Sequence, residues 1–157
     1  MKNRAALAGW IAALVVFLAD QASKYWVLHG IDLPVRRQIV LLPVLNLTFV
    51  QNRGVTFGLL GGAGVGAWLL AGVALAVVAG LLVWMHRTRS RLAAIALGAV
   101  AGGAGGNILD RFRHGYVVDF IQAHAGAWSW YVFNVGDAAI VCGVIALVIE
   151  SQFAARR

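Results

Sequence analysis

From Gly54 to Met85 the chain carries no charged side chain. A stretch this long and apolar has one comfortable home: a bilayer core about 30 Å thick, which takes roughly 20 residues as a helix. Three more apolar stretches have spanning length, so the spans fall at about 5–28, 65–85, 92–109 and 131–149. The composition agrees, with 61% hydrophobic and 12% charged residues, against about 45–50% and 25% in soluble domains. The N-terminal run continues from Ala5 to Leu28, too long for the apolar region of a cleaved leader, and reads as a first span. The fold class is an integral membrane protein, mainly α, with four transmembrane helices in a single domain.

The formal charge of +7 resembles a polyanion-binding signal. In a membrane chain, Lys and Arg sit in loops and set topology, and nucleic acid is not expected as a partner. Lys2 and Arg4 precede the first span, Arg87, Arg89 and Arg91 fill the turn between spans two and three, and Arg156 and Arg157 close the chain. Four spans put all of these on one side, which the positive-inside rule makes cytoplasmic. Lys24, Arg36, Arg37, Arg53, Arg111 and Arg113 fall on the other side; the dense 86–91 turn decides the orientation. The outward segments are about 30–64 and 111–130. Gln38–Leu42, Leu45–Val50 and Tyr116–Ile121 are short, β-branched runs that read as strands of a small extracytoplasmic sheet. Gly98, Gly102 and Gly106 recur every four residues on span three, spacing that lets helix backbones approach closely.

Five of the six acidic residues fall on the outer side. Carboxylates at membrane depth are functional candidates by default. Asp20 and Lys24, four apart, share a helix face and read as an ion pair orienting span one. Asn107, Asp110 and Arg111 at the end of span three read as a polar brace. Asp119 and Asp137 differ: each lies among apolar residues, with no basic residue within four positions. If the fold brings them together, two such acids cannot both ionise cheaply, so one holds a proton while the other serves as base. The competing reading is two element-end acids, with Asp137 complementing the dipole of its helix. Spacing leaves both open.

Other chemistries fail by inventory. The histidines form no His-Glu-x-x-His, no Gly-x-Ser-x-Gly surrounds a serine, and Cys142 is the only cysteine, so zinc-protease, serine-hydrolase and thiolate-cluster readings have no carrier. No cofactor or metal is called for. A transporter would use intramembrane Asp and Lys as a relay, but it needs polar residues across the whole thickness, and here they gather at one end of each span.

Five ordered blocks carry a resemblance: Asp20-Gln21-x-x-Lys24, Asn52-Arg53-Gly54-Val55-Thr56-Phe57-Gly58, Gly106-Asn107-x-x-Asp110-Arg111, Gly115-x-Val117-Val118-Asp119-Phe120 and Phe133-Asn134-x-x-Asp137. In these the chain resembles the bacterial lipoprotein signal peptidase (signal peptidase II) family over nearly its whole length. The resemblance implies an aspartic endopeptidase with Asp119 and Asp137 as the catalytic dyad. It places Asp20, Lys24, Asn52, Gly54, Asn107, Arg111 and Asn134 as substrate-binding or supporting residues. It implies diacylglyceryl-modified prolipoprotein signal peptides as substrates, cleaved before the lipidated cysteine, with membrane lipid as the other partner. A monomer in the bacterial inner membrane, with both termini cytoplasmic and the site near the outer face, is expected. Thr56–Gly64 is expected to form a short amphipathic lid. Gly136, Val55 and Thr56 depart from the family's usual alanines.

Overall fold

The computed structural model describes residues 2–54, 65–126 and 128–154. The expected lid at Thr56–Gly64, with Val55, and the terminal Arg156 and Arg157 lie outside the described residues. Helix α1 (Lys2–Tyr25) runs on into a π-helical turn, Trp26–Gly30, and is followed by the short α2 (Leu33–Arg36). Strands β1 (Gln38–Leu42) and β2 (Leu45–Asn52) come next, then helices α3 (Val65–Arg87) and α4 (Arg91–His114). Strands β3 (Val117–Ala125) and β4 (Trp128–Ser129) precede the last helix, α5 (Val135–Ala154). Among the described residues, four helices are long and apolar enough to cross a membrane, as expected. The strands form one antiparallel sheet in the order β1-β2-β3-β4.

Helix α4 is the bundle's axis, packed on α1, α3 and α5, while α1, α3 and α5 leave large apolar side chains such as Leu14, Val77 and Ile145 exposed. Glycine sets this arrangement. A Cβ on Gly98 would land on the backbone of Gly9, one on Gly102 on Ala13, and one on Gly103 on Gly136. Without side chains these backbones touch directly, which is how helices gain packing energy where lipid removes the hydrophobic incentive. At one end of the bundle Trp10 Nε1 donates to His86 Nε2 at 3.3 Å, and Ser90 Oγ caps α4 by accepting from Ala93 N at 3.2 Å.

Helix α5 runs on to Ala154 and β3 to Ala125, beyond the expected ends at 149 and Ile121, and two boundaries next to the site also differ from the sequence reading. The fourth helix starts at Val135 rather than near Tyr131, because Phe133 is drawn into the sheet: its N–H donates to Ile121 O at 3.0 Å and its carbonyl accepts from Ile121 N at 2.8 Å. The segment expected to leave the span at 111 does so only at Gly115. Arg111, Arg113 and His114 complete the last turn of α4, where cations complement the dipole, and Gly115 ends it at φ +76°.

Candidate active site

The sheet sits over the end of the bundle where α1 and α4 finish and α5 begins. Val27, Leu33, Leu47, Val118 and Phe120 pack between the sheet and the chain after α1. This fixes β3 and brings Asp119, at its third residue, over the first turn of α5. Among the described residues, the buried polar and charged side chains are Asp20, Lys24, Asn46, Asn107, Asp110, Asp119 and Asn134. Apart from Asn46 they belong to one network.

Asp119 is 1% exposed. Its Oδ1 accepts from Asn134 Nδ2 at 2.7 Å and its Oδ2 from Asn52 Nδ2 at 2.9 Å. Asp137 accepts from Asn107 Nδ2 on Oδ1 at 2.8 Å and from the Asn134 N–H on Oδ2 at 3.2 Å. The two carboxylates are joined through a pair of amides, since Asn134 Nδ2 also donates to Asn107 Oδ1 at 3.1 Å. Asn134 is the N-cap of α5 as well: its Oδ1 accepts from Asp137 N at 2.9 Å. Asn134 and Asp137 thus form a reciprocal capping box. Asp137 is thus a helix-end acid, as one reading expects, and the same side chain is linked through amides to Asp119.

The remaining expected residues fall around this pair. Asn52 is held by a turn in which its Oδ1 accepts from Gly54 N at 2.9 Å. Gly54 has φ +70°, a left-handed conformation that suits glycine, and a Cβ there would also meet Leu70. Arg111 Nη1 donates to Asn107 O at 3.1 Å, and its Nε is buried without a partner among the described residues. Asp20 and Lys24 pair at 2.7 Å. The expected Asn107–Asp110–Arg111 brace is not formed by side chains. Asn107 turns to Asp137, Asp110 turns to Lys24 at 2.8 Å, and Arg111 reaches only backbone. The three share a helix face, but partners on other elements take two of them: Asn107 bonds Lys24 of α1 and Asp137 of α5, and Asp110 bonds Lys24 of α1 and the Val118 N–H of β3.

Gln21 was not singled out from the sequence, though its Nε2 reaches Asp110 Oδ1 at 3.1 Å and Asp20 Oδ2 at 3.3 Å; only its place beside Asp20 in a motif marks it. Trp130 and Tyr131 were missed too. They line a cleft of about 730 Å³ with Val50, Arg53 and Asp119, and their one sequence signal is an aromatic cluster in a polar-poor loop.

Burial raises the Asp119 pKa to about 6, and the nearby Asp137 pushes it the same way. The hydrogen bonds from Asn52 and Asn134 and the charge of Lys24 pull it down. An acid raised this way binds its proton more tightly folded than unfolded, so folding stability falls as pH rises from about 4 to about 6 and then levels off. Asn52→Ala removes a bond that favours the ionised form. Any rate that requires the protonated pair should then hold to higher pH; a pH–rate profile whose alkaline limb stays in place or moves down would contradict this.

Helices that can span a bilayer, a sheet over one end, and a cleft-lining carboxylate tied by amides to a second one describe a polytopic membrane protein with a candidate paired-carboxylate site. The family model of signal peptidase (SPase) II matches residues 12–153. A lipoprotein signal peptidase of Methylorubrum extorquens is 52% identical over 144 residues, covering 91% of this chain and 84% of that protein. One from Methylobacterium sp. (strain 4-46) is 46% identical over 155 residues, covering 98% and 94%. Two solved structures described as bacterial membrane enzymes share the fold, with TM-scores of 0.76 and 0.77 at 24% and 25% identity. They cover 92% and 90% of this chain, and the chain covers 87% and 90% of theirs. The chain belongs to the signal peptidase II family, the lipoprotein signal peptidases: it is a multi-pass membrane protease.

Proposed function

We propose that this chain removes the signal peptide from diacylglyceryl-modified prolipoproteins, cutting the bond before the lipidated cysteine with Asp119 and Asp137 as an aspartic dyad. The observation that carries the reading is the amide bridge Asp119–Asn134–Asn107–Asp137, which registers a second carboxylate against Asp119, the carboxylate that lines the cleft. The ionised member takes a proton from water as its oxygen attacks the scissile carbonyl carbon. The protonated member gives its proton to the carbonyl oxygen. The tetrahedral adduct then collapses, the amide nitrogen leaves with a proton, and the products are a carboxyl-ended signal peptide and an amine on the lipidated cysteine. The apparent pKa values of such a site belong to the pair.

The substrate is itself membrane-bound, and its scissile bond lies where lipid meets water. On this reading the dyad, at the sheet end of the bundle, meets the bond there. Arg87, Arg89 and Arg91 are at the opposite end, so the positive-inside rule puts the sheet outside and the termini in the cytoplasm of a bacterial inner-membrane protein. A monomer suffices, because every group in the bridge comes from one chain. The polar network stays at one end of the spans, which does not suit a conduction path. Purified full-length protein in detergent should cut a precursor peptide bearing diacylglyceryl-cysteine and release a product that begins at that cysteine, read by mass spectrometry. Equal cleavage of the unlipidated peptide, or cleavage elsewhere, would overturn the assignment.

A further inference from the structure

Behind the dyad lies a second charged cluster that makes no contact with the cleft. Lys24 Nζ donates to Asp20 Oδ2 at 2.7 Å, Asp110 Oδ2 at 2.8 Å and Asn107 Oδ1 at 2.9 Å. All three ammonium protons are used. Each carboxylate has a second duty. Asp20 Oδ1 accepts from the peptide N–H of Gly136 at 2.8 Å, across 116 residues. Asp110 Oδ2 accepts from the peptide N–H of Val118 at 3.0 Å. Gly136 and Val118 are the residues immediately before Asp137 and Asp119. Gln21 ties the two carboxylates together, and also reaches Gly106 O at 3.3 Å.

We propose that Asp20, Lys24 and Asp110, tied by Gln21, form a positioning device that holds the backbone ahead of each dyad residue and sets the charge the dyad senses. The inference rests on the dyad reading above. An α1–α4 lock alone would need one acid for one lysine. Two acids on one lysine, each reaching the chain one residue before a different dyad member, register both halves of the site against the same ammonium. The third ammonium proton extends the same hold to Asn107, whose amide grips Asp137. The glycines fit this purpose. A Cβ on Gly106 would fall on Asp20 Oδ2, and one on Gly136 would stand 3.0 Å from Asp20 Oδ1 and 2.9 Å from Gly103 O. The absence of a side chain at Gly136 thus gives the anchoring carboxylate room.

Charge gives the device a signature. Asp119 is faced by Asp137 from α5, Lys24 from α1, Asn52 from β2 and Asn134 from the α5 cap; Arg111 of α4 faces Asp110, Asp119 and Asp137. Removing the Asp110 carboxylate leaves Lys24 less compensated and favours ionised Asp119, so the alkaline limb of the pH–rate profile moves down. Removing the Lys24 charge moves it up.

The test uses the full chain in detergent with the lipidated precursor peptide. Asp110→Asn keeps an oxygen for the Val118 N–H and leaves Asp20 and Lys24 as a neutral pair, so it should fold. Its alkaline limb should shift down, with KM unchanged. Asp110→Ala loses the anchor and should lower kcat about 100-fold, the scale of a small misplacement of reacting groups, again at unchanged KM. Lys24→Met should shift the limb the other way. If it does not fold, the Asp110→Asn and Asp20→Asn limbs, both expected to move down, still decide. Variants that lose only thermal stability, with kcat and pH profile matching the parent, would overturn the positioning role. If the parent protein does not cut the lipidated peptide, or Asp119→Asn stays active, it is the dyad reading that fails.

Discussion

Asp119→Asn and Asp137→Asn are each expected to lower cleavage of a lipidated precursor by at least about a thousandfold, with the proteins still folded in detergent. Asparagine has nearly the shape of aspartate but neither takes a proton from water nor donates one to a carbonyl oxygen as an acid. The double variant should be scarcely worse than either single one, because the pair acts as a unit and losing one member removes the function of both. Folding should survive at position 119 because two effects oppose. The buried carboxylate, raised to about 6 by desolvation, loses its charge, which is favourable. Its accepted bonds from Asn52 and Asn134 lose their charge-assisted character, which is not. At position 137 the cap bond from the Asn134 N–H survives through the amide oxygen. Single-turnover assays with purified variants would check this. Appreciable turnover by either would remove the aspartic mechanism while leaving the fold and family membership untouched.

Much of the site was legible in the sequence, and the reason is cost. A carboxylate in an apolar setting is costly and is a functional candidate by default, so Asp119 and Asp137 stood out as candidates without a structure. The spans were equally plain, since lipid imposes a composition and a length. The regular glycines of α4 announced close packing, and the structure puts Gly9 against Gly98, Ala13 against Gly102 and the Asp20 side chain against Gly106. Other features depend on what lies opposite. Nothing local says that Asn107 faces Asp137 and not the side chain of Arg111; that follows from where α5 docks along α4, at the Gly103–Gly136 contact. Nothing local assigns Asp110 to Lys24, since the bond joins α1 to α4. The start of α5 was misplaced because Tyr131–Phe133 is apolar enough to continue a span, and only the pairing of Phe133 with Ile121 shows it to be sheet. The Asn134-x-x-Asp137 spacing also carried an unread signal for the later start, since a cap residue followed three positions later by an acid marks a helix N-terminus.

Asn134→Ala is expected to have the second-largest effect, on activity and stability together. The side chain is fully buried and serves three partners: it donates to Asp119 and Asn107 and caps α5 at Asp137 N. Loss of the cap costs about 1 kcal/mol. The truncation also leaves a buried amide oxygen and a buried carboxylate each short of a donor, at about 1–3 kcal/mol for such a group. Melting in detergent should therefore come at clearly lower temperature. The activity loss has another origin. Asn134 is the one side chain that touches Asp119 and caps the helix bearing Asp137, so without it the direct amide link between the two acids is broken. A misplacement of about 1 Å is enough to cost roughly 100-fold in rate. The bond from Asn134 also holds the Asp119 pKa down; its removal raises that pKa, and the alkaline limb of the remaining activity should move up. Asn134→Ser should recover part of the stability, because serine also caps helices well, while leaving the rate low, because its short side chain does not carry the two-donor amide that spans Asp119 and Asn107. A serine variant with both properties restored would mean that the cap alone matters. In that case the amide bridge between the acids would have to give way to the sheet and α5 backbones as the source of their registration.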